Sequence, residues 1–231
     1  MTPKKHSLTV PDKKQPLTKF GALQEKLNKY KKQPLMKSMT KGSAGIGGGK
    51  YLYILLDVSD SMSGDELKFA KAGAKEFVSI ATKKGYHVGL IAFESVANLL
   101  AEATQSTHKL NAQIDRLSCG LSTNMTEALQ LGIQQLQEKK GTRVLWMVTD
   151  GYPDDRASAL NMGSRAKAQG IDIICLGTES ADHKFLAELA SRKDLAKETT
   201  TANLKFNMKK TAEMLPDKSG GTLMLGYKNK K

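Results

Sequence analysis

Asp57, Ser59 and Ser61, in the stretch Tyr51–Ser63, YLYILLDVSDSMS, form the first cluster of reactive or metal-ligating side chains in the sequence. One carboxylate and two hydroxyls stand at alternate positions. Alternate residues of an extended segment project to the same side, so the three oxygens converge on one point if the turn stays extended. Hard oxygen donors on one point suit a hard divalent cation, Mg²⁺ first and Mn²⁺ or Ca²⁺ next. The competing reading is local, because Ser and Asp after a strand also cap the helix that follows.

The secondary structure around these groups decides between the two readings. Tyr51 to Leu56 is a short apolar run without alternation. Such a run reads as a strand buried on both faces, as in a parallel sheet. In open α/β sheets, ligands sit just past the carboxyl ends of such strands, which is where Asp57 falls. Two further places belong to the same edge. Arg143–Val148 is another buried run and leads into Thr149-Asp150-Gly151. The loop Leu121-Ser122-Thr123-Asn124 precedes a helix and brings Thr123 to that edge. Each has a local alternative, a bare turn for Asp150 and a helix cap for Thr123. Three oxygen-bearing loops on one sheet edge favour a shared site.

The rest of the chain alternates in kind. Asp65–Lys84 is amphipathic, with Leu67, Ala70, Ala74, Phe77, Val78 and Ala81 on one face, acids at its start and Gly85 at its end. Tyr86–Phe93 reads as a buried strand and Ala97–Ala101 as a short edge strand. Leu110–Leu117 and Glu127–Lys140 read as helices, the second stopping at Gly141. Asp154 or Asp155 can cap a helix through Ala168. Ile171–Leu176 is a further buried strand, and His183–Ser191 and Ala202–Leu215 are the final helices. The order predicts a doubly wound α/β fold, a mostly parallel central sheet with helices on both faces. Its core would be built from Leu55, Leu56, Leu90, Ile91, Leu145, Val148, Ile173 and Ile174.

Composition narrows the function classes. The 231 residues are 39% hydrophobic and 26% charged, a globular balance. No apolar run approaches the roughly 20 residues that span a bilayer, and residues 1–30 lack the apolar core of a secretory signal. Cys119 sits in a loop-like stretch and Cys175 in an apolar run, which fits a reduced, cytoplasmic protein better than a disulfide framework. The net charge of +13 is uneven. Residues 1–50 hold 12 Lys against Asp12 and Glu25, a net +10, whereas the remainder holds 24 Lys and Arg against 21 Asp and Glu, a net +3.

Residues 1–49 therefore read as a basic arm, broken by Pro3, Pro11, Pro16 and Pro34. Within it, residues 17–32 place Phe20, Leu23, Leu27 and Tyr30 at helical spacing among lysines. A basic amphipathic helix of this kind can dock on a partner, pack on its own domain or stay disordered. Lys41–Lys50, KGSAGIGGGK, is a linker by composition. It fails as a phosphate-binding loop, because Ala44 takes the first Gly place and a strand rather than a helix follows Lys50. Residues 216–231 form a polar, basic tail.

DVSDSMS (57–63), LSTN (121–124) and VTDGYP (148–153) together resemble the motifs of a von Willebrand factor A domain, over residues 50–215. The resemblance implies the Rossmann-like fold of that family, with one short antiparallel edge strand. It also implies a metal-ion-dependent adhesion site, in which Asp57, Ser59, Ser61, Thr123 and Asp150 surround a divalent cation. Leu121-Ser122 stands where the family often has two glycines. The family uses the open metal position for a Glu or Asp of a partner protein. Its intracellular members often work beside AAA+ ATPases of the MoxR type or in chelatase-like assemblies. Other members sit in ribonucleoprotein or DNA-repair proteins, so nucleic acid is a second expected ligand, through residues 1–50. Catalysis is not expected. A haloacid-dehalogenase-type phosphatase would need a second Asp at position 59, where Ser59 cannot act as an acid or base at neutral pH. None of His6, His87, His108 and His183 sits in a nucleophile motif.

Overall fold

The computed structural model describes residues 48–217. The amphipathic stretch with Phe20, Leu23, Leu27 and Tyr30 lies outside the described residues, as do residues 218–231. In chain order the elements are β1 (Gly49–Asp57), α1 (Asp65–Lys83), β2 (Tyr86–Phe93), β3 (Ala97–Thr104), α2 (Thr107–Asp115) and α3 (Met125–Leu136). They continue with β4 (Gly141–Thr149), α4 (Arg156–Ala168), β5 (Asp172–Gly177), α5 (His183–Leu189), β6 (Ala196–Glu198) and α6 (Leu204–Glu213). Single 3-10 turns occupy Asp60–Met62, Lys193–Leu195 and Thr201–Asn203.

Six strands form one sheet in the order β3-β2-β1-β4-β5-β6. All neighbours are parallel except β2 and β3. The chain runs outward from β1 through β2 to β3, then returns to the other side of β1 as β4. The strand order thus reverses between β1 and β4, and the crevice at the carboxyl ends of those two strands is the ligand position of such sheets. Asp57 closes β1, and Asp150 follows β4 directly.

Helices cover both faces. Phe77 of α1 stacks on Trp146 of β4, with ring centroids 3.8 Å apart and planes 16° apart. Gly132 of α3 lies against the neighbouring Leu145, where a Cβ would come within 2.6 Å of its Cδ2. Consecutive strand residues face opposite sides of a sheet, so α1 and α3 cover opposite faces. Truncating Phe77 to Ala would open a cavity against Trp146 and cost about 3–5 kcal/mol. The eight expected core residues are all buried.

Local chemistry sets the helix ends. The side chains of Ser106, Asn124, Asp155 and Asp182 each accept a backbone N–H in the first turn of α2, α3, α4 and α5. Gly85, at φ +82°, ends the reach of α1.

The structure corrects several boundaries. The edge strand expected at Ala97–Ala101 continues to Thr104, through an irregular register that skips between Leu90↔Ala101 and Val88↔Thr104. The helix expected over Glu127–Lys140 is instead Met125–Leu136. Gly141 does not stop it but opens β4 at φ +105°, where a Cβ would lie 2.2 Å from the Gly49 carbonyl oxygen. The short strand β6 was not anticipated, because its residues Ala196-Lys197-Glu198 carry no apolar pattern and gain a partner only through β5.

Candidate metal centre

Asp57 is fully buried at the end of β1. Its Oδ1 accepts a hydrogen bond from the Ser59 backbone N–H at 2.9 Å, and its Oδ2 accepts one from the Thr149 hydroxyl. The chain after Asp57 does not stay extended. Ser59 is extended at ψ 169°, but Asp60–Met62 closes into a 3-10 turn. Convergence of the three side chains therefore comes from the turn, which folds Ser61 back over Ser59, and not from strand alternation alone. The Ser59 and Ser61 hydroxyl oxygens lie 3.1 Å apart. The Ser61 hydroxyl donates to Asp150 Oδ1 at 2.9 Å, which joins the first loop to the loop after β4. Ser59 and Asp150 are nearly inaccessible, whereas Ser61 is exposed, so the cluster opens to solvent on the Ser61 side.

Thr123 arrives from the third loop. The helix cap of α3 is Asn124, whose Oδ1 accepts the Glu127 N–H at 3.1 Å, so Thr123 is not the cap. Its own backbone is clasped by Asp154: the Thr123 N–H donates to Asp154 Oδ1 at 3.2 Å, and the Thr123 carbonyl accepts the Asp154 N–H at 3.1 Å. A Cβ placed on Gly151 would lie 3.4 Å from Thr123 Oγ1 and 3.9 Å from Asp57 Oδ2. All five residues singled out from the sequence thus meet at one place, beside the β1–β4 crevice.

Electrostatics mark the place as unusual. Burial pushes the Asp57 carboxyl up to about 6, against hydrogen bonds from Ser59 and Thr149 that hold it down, and the nearby Asp150 adds to the rise. Burial also raises Asp150 above the usual carboxylate range, partly offset by Ser61. Among the described residues neither acid forms a salt bridge. Two desolvated carboxylates, lined by three hydroxyls, match the donor set of a hard divalent ion. Among the described residues no group of three or more His, Cys, Asp and Glu could hold a metal, so an ion here would depend on the hydroxyls as well as the acids.

Three supporting residues were not singled out from the sequence. Thr149 holds the second oxygen of Asp57, and Asp154 holds the backbone of Thr123. Glu94 accepts N–H groups of Ser95 and Leu121, and the Ser95 side chain, followed by these backbone bonds, holds its carboxyl below the usual range. A hydroxyl at the end of an otherwise apolar run was the available signal for Thr149. The partners of Asp154 and Glu94 are 31 and 27 residues away, beyond local patterns.

Comparison with known proteins agrees with the fold. The von Willebrand factor type A domain family model matches residues 52–213. The vWF domain of the type V pili tip protein Mfa5 from Porphyromonas gingivalis superimposes with a TM-score of 0.64 at 13% identity, covering 73% of this chain and 95% of that one. BatB, a conserved hypothetical protein from Bacteroides thetaiotaomicron, gives 0.61 at 19% identity, over 71% of this chain and 96% of its own. Proximal thread matrix protein 1 from the mussel byssus, in a structure with a zinc-occupied MIDAS motif, gives 0.62 at 16% identity over 72% and 46%. At these identities the likeness concerns the fold alone. An uncharacterized protein of Synechocystis sp. is 29% identical over 132 residues, which are 54% of this chain and 31% of that protein, so the chain spans less than a third of that curated relative's length. With the family model matched over most of its length and the strand order to go with it, the chain belongs to the von Willebrand factor type A domain family.

Proposed function

We propose that this domain is a metal-dependent protein-interaction module and not an enzyme. The family is a general interaction and adhesion module. The observation that carries the reading here is the meeting of two buried carboxylates, neither in a salt bridge among the described residues, with three hydroxyls at the β1–β4 crevice, open to solvent at Ser61. Asp57 and Asp150 supply the negative charge, and Ser59, Ser61 and Thr123 supply neutral oxygens. A divalent cation bound there offers a Lewis-acidic position to a carboxylate from outside. Hydroxyls do not neutralise such an ion, which therefore keeps its attraction for an Asp or Glu of a partner protein. Mg²⁺ is the default ion, with Mn²⁺ or Ca²⁺ as substitutes. Zinc is a further candidate, since the mussel protein holds it in its MIDAS motif. Ser59, where a phosphatase would need a second acid, supports binding over catalysis.

Capture from native lysate tests the reading, with Mg²⁺ and then with EDTA. An AAA+ ATPase of the MoxR type or of a chelatase-like assembly is the partner class that the resemblance implies, in a cytoplasmic setting. Partners that EDTA releases support the proposal, and partners that survive both EDTA and Asp150→Ala overturn it. Among the described residues no helix is long and apolar enough to cross a membrane.

The charge distribution favours a second reading, nucleic-acid binding through the +10 of residues 1–50. Deleting residues 1–47 should then remove most affinity for polyanions, and what remains should fall steeply with salt. Equal binding by the truncated protein would sink it.

A further inference from the structure

The loops that build the metal centre also carry an unusual rim. Large apolar side chains are rarely left in water in a cluster. Here Leu121 is 80% exposed, Tyr152 66% and Val96 47%. Leu121 lies two residues before Thr123, and Tyr152 two residues after Asp150. Val96 lies in the β2–β3 turn, which is tied to the Leu121 loop by Glu94, by Ser95 and by the Asn124 N–H to Glu94 carbonyl bond at 2.7 Å. The Leu121 carbonyl in turn accepts the Asp60 N–H of the first loop. All three apolar residues therefore stand on loops bonded to one another around the centre. None of them is needed for the core.

The charge of the same loops is one-sided. Residues 57–64, 94–96, 118–124 and 149–155 contain six acids and not one Lys, Arg or His. Besides the two central ones these are Asp60, Glu94, Asp154 and Asp155, on the same loops. The next basic residue in the chain, Arg156, is engaged by Asp182 and Glu188. A bound divalent cation would leave this rim four charges negative, in a protein whose total is +13. A carboxylate that approaches through such a field is repelled unless its own neighbours carry positive charge.

We propose that the rim selects a partner segment in which a single Asp or Glu is flanked by Lys or Arg and by a large apolar residue. The central carboxylate reaches the metal, the basic neighbours meet Asp60, Glu94 and Asp154, and the apolar side chain covers Leu121 and Tyr152. Tyr is enriched among the residues that carry binding energy in protein contacts, which makes Tyr152 the main anchor of this rim, with Leu121 beside the centre as its apolar neighbour. The proposal rests on the metal-dependent reading above and deepens it by naming the partner's chemistry.

Two fluorescein-labelled synthetic peptides test it on the full chain, one with the core Lys-Leu-Glu-Lys and one with the core Ser-Glu-Glu-Ser. Binding is followed by fluorescence polarisation in millimolar Mg²⁺, and only the part that EDTA reverses is counted, which removes binding to the Lys-rich residues 1–50. The basic, apolar-flanked peptide should bind at least about tenfold more tightly, and more weakly as salt rises. Leu121→Ser and Tyr152→Ser should each weaken it about tenfold while leaving Mg²⁺ binding by calorimetry unchanged. Asp60→Lys, at a side chain with no hydrogen-bond duty among those described, should narrow the difference between the peptides. If Mg²⁺ binds and the two peptides bind alike, or neither binds, the rim proposal fails alone. If calorimetry detects no Mg²⁺, Mn²⁺ or Zn²⁺ in the wild type, the metal reading fails and takes the rim with it.

Discussion

The two edges of the sheet use charge in opposite ways. At the amino-terminal edge, lysines are satisfied within the chain. Lys50 donates to the Lys84 and Asp217 carbonyls, and Lys84 donates to the Glu213 and Leu215 carbonyls at 2.7 Å each. Lys50 also lies over the Tyr86 ring, 5.0 Å from its centroid, and the Tyr86 hydroxyl donates to the Pro216 carbonyl. These bonds clasp the segment that follows α6 to the start of β1 and β2. At the carboxyl-terminal edge, two acids are buried and are raised in pKa by that burial. The first edge spends its polar groups on holding the fold. The second holds two carboxyls that burial desolvates and no basic side chain neutralises among the described residues. Burial raises one acid at the first edge as well, Asp172 at the start of β5, but there Arg192 and Ser191 offset the rise, whereas at the second edge two raised acids share one crevice.

The largest expected effect tests that difference directly. Calorimetry with Mg²⁺ or Mn²⁺ should show one site in the wild type and none in Asp57→Ala. Thr123→Ala and Asp150→Ala should lose metal and partner together while the fold survives, because neither side chain belongs to the apolar core. Metal binding undiminished in Asp57→Ala would mean that the acidic edge holds no such site.

The second effect concerns stability without metal. Asp57 has a folded value of about 6, above the roughly 3.9 of an unfolded Asp. A carboxyl raised in this way favours the fold where it is protonated in the native state. Its contribution is fully present below the unfolded value and is lost as pH rises through about 6. Metal-free protein should therefore gain stability from this group between neutral pH and about pH 4, by roughly 2–3 kcal/mol. Saturating Mg²⁺ should reverse the sign, since the ion needs the ionised acid. Asp150→Ala should leave the melting temperature of the apo form unchanged or slightly raised, because it removes the charge that opposes ionisation of Asp57. A large fall in its apo melting temperature would show that Asp150 is structural.

Much of this acidic edge was legible in the sequence, for a definite reason. Tyr51–Leu56 and Arg143–Val148 lie inside the sheet with helices on both faces, so their apolar runs stop where the strands end, and Asp57 and Asp150 mark that stop. Strand ends share an edge whatever the details of packing, so the convergence could be argued without coordinates. The path from Asp57 to Ser61 could not be. An alternating D-x-S-x-S suits an extended chain, yet the Met62 N–H bonds the Ser59 carbonyl at 3.0 Å and closes a turn around the fully buried Met62. Burial of one methionine outweighed the local pattern. The amino-terminal clasp was equally hidden, since Lys50 and Lys84 look like any solvated lysine until the chain returns at Glu213–Asp217. Long-range carbonyl acceptors leave no trace in composition or period.

The smallest effect sharpens the comparison from the clasp side. Lys84→Met keeps the aliphatic stem against its neighbours but removes two hydrogen bonds to carbonyls and the 3.4 Å ion pair with Asp217. The ion pair adds little, because the Asp217 side chain is 80% exposed. The Glu213 carbonyl can turn to water, whereas that of the buried Leu215 is less free to do so. The net loss should be about 1 kcal/mol, or about 2–4 °C in melting temperature for a domain of this size. Metal affinity should not move, since the clasp and the metal centre lie at opposite ends of β1, with Tyr51 to Leu56, each paired to both neighbouring strands, between them. Thermal melts and Mg²⁺ calorimetry on the same variant decide the matter. A lower melting point with unchanged metal binding keeps the two edges independent. A matching loss of metal affinity would show instead that the sheet transmits the state of its clasp to its acidic edge.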